Sequence, residues 1–301
     1  MAPEVRVGSG SDYGKRPFAC AVLLAIPAIA VAGELGSDTL DAWNQYIAAV
    51  NLQMQARLDG QKPFLSVEEK PDLAARLRRN EIVVMPGDDH GRRRVASGLI
   101  HHWIATAFMP DATVSDVIRA LREYDRYSEY YAPAVIESKS LAGRGDDDRF
   151  SLRVVNKAVL SKIALDADFE SSYFLSGTRG YKTVRATRVQ QIEDYGQNGQ
   201  RTLPADQGSG LIWRLYSIAR FEERDGGVYY EIEAMALSRD IPASIEWMMG
   251  PMIRRVAKGS LTGMLQKTRE AVLDSVQMTH RDPVHASPVV DGGSKFIVFA
   301  K

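Results

Sequence analysis

The feature that most constrains the fold is a run of strand-like segments that ends in one long helix. Between residues 134 and 238, stretches rich in alternating and β-branched residues are separated by turn signals such as Asp225-Gly226-Gly227. Strands joined by tight turns pair as antiparallel hairpins. The predicted strands are residues 134–141, 149–159, 165–175, 182–193, 210–223 and 227–238.

The helix that follows supplies a partner for one face of this sheet. It opens at Ile241-Pro242, and Pro251 predicts a kink in its first part. Its apolar residues recur at three- and four-residue steps: Ile253, Val256, Ala257, Leu261, Leu265 and Val272. Because a sheet and a helix each bury one apolar side against another element, the pattern predicts an α+β domain.

The last strand indicates which face the helix covers. Tyr230 and Ile232 alternate with Glu231 and Glu233, so the two pairs lie on opposite faces. We expect the apolar face to look towards the helix, with the glutamates in solvent or paired with Arg214 or Arg220. In the reverse register, a glutamate in an apolar cavity would have a raised pKa and act as an acid or a base.

The segment before these strands contains further helices and strands. Apolar spacing predicts a helix over residues 37–58 and a short one over 72–79. Two strands, 81–85 and 98–109, come next, and a helix begins at Asp111. The expected organisation is a signal peptide (1–32), an N-terminal helical extension and linker (33–94), a ligand-binding domain (95–275) and a tail (276–301).

The N-terminus has the pattern of an export signal. Residues 17–33 are uncharged and follow Lys15-Arg16, and Ala30-Val31-Ala32 is a small-x-small cleavage site. Cleavage there would remove Cys20, the only cysteine, which suits an oxidising compartment. We therefore expect a periplasmic or extracellular protein. An N-terminal membrane anchor is the alternative.

Several function classes lack support in the sequence. The chain has 38 basic and 38 acidic residues, so it has no overall charge footprint for nucleic acid. His101 and His102 are adjacent on a predicted strand, point to opposite faces and cannot bind one metal ion together. No nucleophile motif of the G-x-S-x-G type occurs. We expect no metal, no cofactor and no assigned catalytic residue.

Three segments carry a resemblance to a known superfamily. Residues 104–141 match a first strand, helix and second strand, and residues 229–242 run directly into the long helix at 245–272. Over about 95–275 the chain resembles the START-like, helix-grip (SRPBCC) superfamily, and most closely its bacterial START-like lipid-binding proteins. The superfamily also includes Bet v 1-like and polyketide cyclase-like proteins. The resemblance implies a curved antiparallel sheet around a long C-terminal helix, with a cavity for a hydrophobic ligand between them.

The resemblance also allows a ligand site to be assigned. Methionines such as Met248 and Met252 give an adaptable apolar lining. Gly259 and Gly263, one turn apart, leave either room for a ligand or a close approach of helix and sheet. The polar anchor is expected to be Arg185 or Arg214, whose planar guanidinium suits an oxygen ligand. The expected apolar lining comprises Trp213, Leu215, Tyr230, Ile232, Trp247, Met248, Met252, Val256 and Met264.

The expected function is binding, and with it transfer, of a hydrophobic small molecule such as a lipid or a sterol-like compound. Transient contact with a membrane would accompany transfer. An enzyme of the polyketide cyclase or aromatase type in the same cavity is the alternative. A third hypothesis is an interaction module of the cell envelope that uses the Trp43 helix as its contact. The sequence names no protein partner.

Overall fold

The computed structural model describes residues 33–144, 147–155, 164–241 and 243–281. Within these ranges, side chains are described except at residues 71, 89, 143–144, 243–250 and 278–281. The expected signal peptide and most of the expected tail lie outside the described residues.

Five helices are described: α1 (Ser37–Leu58), α2 (Pro71–Arg78), α3 (Val114–Arg122), α4 (Tyr127–Tyr130) and α5 (Ala243–Arg281). The strands are β1 (Gly33–Glu34), β2 (Val83–Pro86), β3 (Arg92–Val95), β4 (Gly98–Pro110), β5 (Val135–Arg144), β6 (Asp147–Val155), β7 (Ala164–Ser176), β8 (Arg179–Glu193), β9 (Arg201–Thr202), β10 (Gln207–Gly208), β11 (Arg214–Arg224) and β12 (Gly227–Arg239). The helix predicted at 37–58 is confirmed, whereas the one expected from Asp111 starts three residues later because Thr113 caps it through a reciprocal bond with Asp116.

Ten strands form one antiparallel sheet in the order β2-β4-β12-β11-β8-β7-β6-β5, with β3 also paired to β4 and β9 to β8. The β11–β12 hairpin turns at Asp225 and Gly226, whose φ angles of 58° and 78° suit a type I′ turn. A bulge between Asp168 and Phe169 interrupts the β7–β8 register. Such a bulge bends the strand and increases its twist. The predicted helix-grip architecture, a curved sheet with a long C-terminal helix, is confirmed.

The inner face of the sheet is the face directed towards α5. It carries Tyr230 and Ile232 of β12, and the core on this side continues into Ala257, Leu261 and Leu265 of α5. The main contacts of α5 are with β4, β2, α3 and α4, at one end of the sheet. The predicted orientation of the last strand is therefore confirmed.

The outer face is covered as well. Trp43, Val50 and Met54 of α1 share an apolar core with Ile218 of β11 and Tyr229 of β12. Strands β2 and β3 add to the sheet beside β4, so the expected boundary at residues 94 and 95 falls inside the sheet. Over the described residues, the N-terminal segment is thus a third layer on the sheet. None of the described helices combines the length and the apolar character that crossing a bilayer requires.

Candidate functional site

Four of the predicted lining residues contribute to the inner face. Tyr230 is buried there, and Leu215, Ile232 and Met264 are partly buried against the same core. They come from β11, β12 and α5, so elements distant in sequence bring them to one side of the sheet. The alternation on β12 was sufficient to predict this for Tyr230 and Ile232.

The two predicted anchors lie elsewhere. Arg185 and Arg214 alternate with Val184 and Leu215, whose side chains join the inner core, so both arginines belong to the outer face. Arg185 is 67% exposed and pairs with Glu170 at 2.7 Å, and Arg214 pairs with Asp206. Neither is placed to contact a ligand on the inner face. Both arginines occupy strand positions whose side chains point to the outer face. The sequence of β8 does not reveal this, because polar and apolar residues do not alternate clearly along it.

Trp213 also departs from the expected position. It precedes β11 and joins the outer apolar core with Leu237 and Met235. The strand expected from residue 210 starts only at Arg214. The alternation of side chains between the two faces therefore does not apply to Trp213.

The predicted residues of α5 divide between two sides of the helix. Successive residues turn by about 100°, which puts Gly259 and Gly263 each about 160° from the core residue Leu261. Gly259 is exposed and Met252 on the same side is 45% exposed, whereas Gly263 is buried. Beyond the neighbouring residues and backbone of α5, no described atom lies within 4 Å of a Cβ built on either glycine, so close packing against the described sheet does not explain them.

Val256 lies on that same side of α5 and is partly buried. The side chains of Trp247 and Met248 are outside the described ones, although their backbone belongs to α5. Their part in a lining stays a prediction.

A row of apolar side chains on the inner face keeps accessible surface. Its members come from β6, β8, β11, β12 and α5, and β7 lies between β6 and β8 in the sheet. Its members pack on the inner core without being fully buried: Leu152, Val154, Val184, Leu215, Ile232 and Met264. We call this set the apolar row. Small-molecule sites are lined predominantly by apolar side chains.

Unpartnered polar atoms occur on the inner face of β4, at the end of the sheet where α5 makes its main contacts. Trp103 Nε1 and His101 Nδ1 on the inner face of β4 are buried and without a hydrogen-bond partner among the described residues. The Tyr230 hydroxyl takes part in none of the hydrogen bonds found there, although the residue is 3% exposed. Buried polar groups normally have partners. The Trp103 N–H and the Tyr230 hydroxyl are therefore donors available to orient a ligand, and sequence reasoning had not identified Trp103.

His101 stays neutral in this setting. Its Nε2 lies 2.9 Å from Ser238 Oγ. Burial, assisted by the nearby charge of Arg92, lowers the pKa of His101 to about 4. Adjacent His102 contacts Tyr46 and Glu233 on the outer face. The prediction that the two histidines point in opposite directions is confirmed, and no group of metal-ligating side chains occurs in the described part of the chain.

A lysine is buried at the far end of the inner face. Lys182 is 4% exposed, and its Nζ lies 4.9 Å from the ring centroid of Tyr124 and 5.0 Å from that of Tyr173. Phe150 stands at 5.7 Å, and the Leu121 carbonyl oxygen accepts a hydrogen bond of 3.3 Å from Nζ. Burial lowers the pKa of Lys182 to about 7. We call these three rings and the carbonyl the lysine cage.

The two glutamates of β12 belong to a different, outer network. Arg220 donates to Glu231 Oε1 at 2.6 Å and to Glu233 Oε2 at 2.8 Å, which confirms the predicted pairing with Arg220. Neither glutamate is in open solvent, because the N-terminal layer covers them. Burial alone would raise the pKa of Glu233, but hydrogen bonds from His102 and Arg220 lower it to about 2.

Sequence comparisons find neither a matching family profile nor a matching curated protein. Among solved structures, this chain is similar to a STAR-related lipid transfer protein from Xanthomonas axonopodis, with 17% identity, 64% of this chain and 98% of that chain covered, and a TM-score of 0.40. It is also similar to human STARD10, with 11% identity, 66% and 80% coverage and a TM-score of 0.42. The Zhui aromatase/cyclase from Streptomyces sp. R1128 gives 12% identity, 62% and 98% coverage and a TM-score of 0.39. At these identities and TM-scores, the likenesses carry no argument about ligand or activity.

Proposed function

We propose that this protein binds a hydrophobic small molecule, such as a lipid or a sterol-like compound, between the inner face of the sheet and α5. The observation that carries the proposal is the apolar row, which keeps accessible surface on a face that is otherwise packed. Release of the bound molecule to a membrane or another carrier would make the same protein a transfer protein.

The driving force is the removal of apolar ligand surface from water. A ligand that buries about 400 Å² of apolar surface gains roughly 10 kcal/mol, at about 25 cal/mol per Å². Lost translational and rotational freedom costs an estimated 4–15 kcal/mol of this gain. The expected affinity is therefore moderate unless polar contacts contribute.

The polar contacts available on the inner face are donors. Trp103 Nε1 can only donate, and the Tyr230 hydroxyl is without a partner among the described residues. A ligand with one or two acceptor oxygens on an apolar body would satisfy them. Each such bond contributes about 0.5–1.5 kcal/mol and orients the ligand.

Two adjacent residues on opposite faces provide the test. Val184 belongs to the apolar row, and Arg185 is exposed on the outer face. Val184→Trp should fill the proposed site and weaken binding of the dye ANS about tenfold or more. Binding is measured by ANS fluorescence and by displacement of the dye with 1-dodecanol. Arg185→Met is the matched control and should leave binding unchanged.

Equal binding in both variants, with melting temperatures near that of the native chain, would contradict the proposal. Mass spectrometry of organic extracts from the purified protein then identifies the natural ligand class. A hydrophobic compound recovered from the native chain and reduced in the Val184→Trp variant supports the proposed site.

We also propose that the protein is exported and cleaved near Ala32. The support is the uncharged segment 17–33 and the Ala30-Val31-Ala32 site. Intact-mass measurement of the protein recovered from cell-envelope and culture fractions tests this, and a full-length mass in the membrane fraction would favour an anchor. The chain expressed from residue 33 to 301 should be soluble without detergent.

A further inference from the structure

The lysine cage holds a primary amine that the proposed binding function does not use. Nζ of Lys182 faces the rings of Tyr124 and Tyr173, and its one hydrogen bond in the described residues goes to the Leu121 carbonyl. A packing role alone is served better by an apolar residue, because burying an ammonium group without a carboxylate in contact is costly. The position therefore suggests a chemical role.

The surroundings are those that activate an amine. Lysines become nucleophilic when they are desolvated in an apolar pocket or placed beside another cation. Lys182 meets the first condition, because it is 4% exposed and its Nζ lies among the rings of Tyr124, Tyr173 and Phe150. Burial is the largest cause that lowers the pKa of Lys182 to about 7, Arg122 adds to it, and Asp148 opposes it. A substantial share of the amine is therefore unprotonated at neutral pH.

The amine lies next to the proposed ligand site. Lys182 pairs across the sheet with Ala219, and Ala219 pairs with Ile232 of the apolar row. Val184, two residues along the same strand, also belongs to this row. Ala219 is the one residue between Lys182 and Ile232 in this cross-strand line, so the strand position that carries the amine lies beside the apolar row.

The two tyrosines whose rings face the amine carry hydrogen-bonded hydroxyl groups that can move protons. The Tyr124 and Tyr173 hydroxyls lie 3.2 Å apart, and Tyr124 also donates to Asp148 at 3.0 Å. Asp148 and Arg122 are joined at 3.1 Å and are partly exposed, so this chain of groups leads from the tyrosines of the lysine cage to the protein surface. Proton donors at this place are what the loss of a hydroxyl group as water requires.

We propose that Lys182 captures the aldehyde or ketone group of an amphiphilic ligand as an imine. The amine nitrogen attacks the carbonyl carbon, and the carbonyl oxygen takes up a proton to give a carbinolamine. The carbon–oxygen bond then breaks, and the oxygen leaves as water with the second proton from nitrogen. One water is released for each imine, and neither oxidant nor reductant is needed. This inference rests on the proposed function for the path by which the ligand reaches Lys182.

The test is reductive trapping on the full chain. Dodecanal and sodium cyanoborohydride convert an imine into a stable dodecyl amine, which intact mass counts and peptide mapping locates. Labelling at Lys182 should be roughly 10- to 100-fold faster than at exposed lysines, because its unprotonated fraction at pH 7 is about 10³ larger and its lower basicity offsets part of this. Lys182→Arg keeps a positive charge without a primary amine and should lose the label. Lys267→Arg, at an exposed lysine that pairs with Glu270 on α5, should keep it.

Binding of 1-dodecanol, which has no carbonyl group, separates the two proposals. If dodecanol binds the native chain but dodecanal leaves Lys182 unlabelled, the imine inference is wrong and the binding function stands. If labelling spreads evenly over the exposed lysines, the inference is also wrong. Selective labelling of Lys182 in a chain that does not bind dodecanol would support the inference and contradict the binding function. The peptide map of the native chain decides these outcomes even if Lys182→Arg folds poorly.

Discussion

Removal of the buried arginine of the outer network should cost a large part of the protein's stability. Arg220 is 1% exposed and Glu231 is fully buried. Arg220 donates to Glu231 Oε1 from Nη2 at 2.6 Å and from Nε at 3.1 Å. In Arg220→Met, Glu231 would keep only the Ser66 backbone N–H and two hydroxyl donors.

The magnitude follows from the charge left behind. Breaking a buried ion pair by removing one partner costs about 3–5 kcal/mol, since the other charge stays buried without compensation. Native domains are stable by about 5–15 kcal/mol. Arg220→Met should therefore lower the free energy of unfolding by about a fifth or more, measured by urea denaturation followed by circular dichroism.

The double variant makes the reasoning refutable. Replacing a whole buried pair by apolar residues is often neutral or stabilising, so Arg220→Met with Glu231→Leu should recover part of the loss. Both residues lie on the outer face, so dodecanol binding should persist in every variant that folds. A loss below about 1 kcal/mol for Arg220→Met, or strict additivity in the double variant, would refute the argument.

Three further predictions concern pH and packing. The pKa of Glu233, lowered to about 2 from its usual 4.5, means that its stabilisation is present above pH 4.5 and is lost as pH falls towards 2, and Glu233→Gln should flatten acid unfolding in that window. The pKa of Lys182 is lowered from 10.5 to about 7, so between pH 7 and pH 10.5 the unfolded chain binds more protons than the native chain. Native stability should therefore rise with pH over this range, and urea titrations should show a smaller rise for Lys182→Met. Gly263→Leu should change the melting temperature less than Ala257→Leu. Both positions are buried, but beyond the neighbouring backbone of α5 no described atom lies within 4 Å of a Cβ at Gly263, whereas Ala257 packs in the inner core. Equal losses would show that Gly263 is packed.

The order of elements and the two faces of the last strand were predictable from sequence. Strand side chains alternate with a period of two, and Tyr230 and Ile232 differ in polarity from Glu231 and Glu233, so local chemistry fixes their separation. The helix at Ser37–Leu58 and the long C-terminal helix follow from apolar spacing in the same way. These features depend on residues that are close to one another in the sequence.

The position of polar residues in β8 depended on tertiary structure. Lys182 and Arg185 are both cationic, so the sequence provides no contrast in polarity to show which of them faces inward. The pairing of β8 with β11 decides this, because Lys182 is opposite Ala219 and Arg185 is opposite Tyr216. The inward residue is then Lys182. Its amine is removed from water among the rings of Tyr124, which follows α3, Phe150 of β6 and Tyr173 of β7.

The burial of the outer network was likewise decided by contacts between distant parts of the chain. Glu231 receives a hydrogen bond from the Ser66 backbone, 165 residues away in sequence, and His102 meets Tyr46 of α1. The spacing of the glutamates reveals a polar face, but it does not reveal whether that face meets water or another layer. Only the packing of α1 and the segment after it on the sheet removes the water, and this turns a polar strand face into a buried ion-pair network.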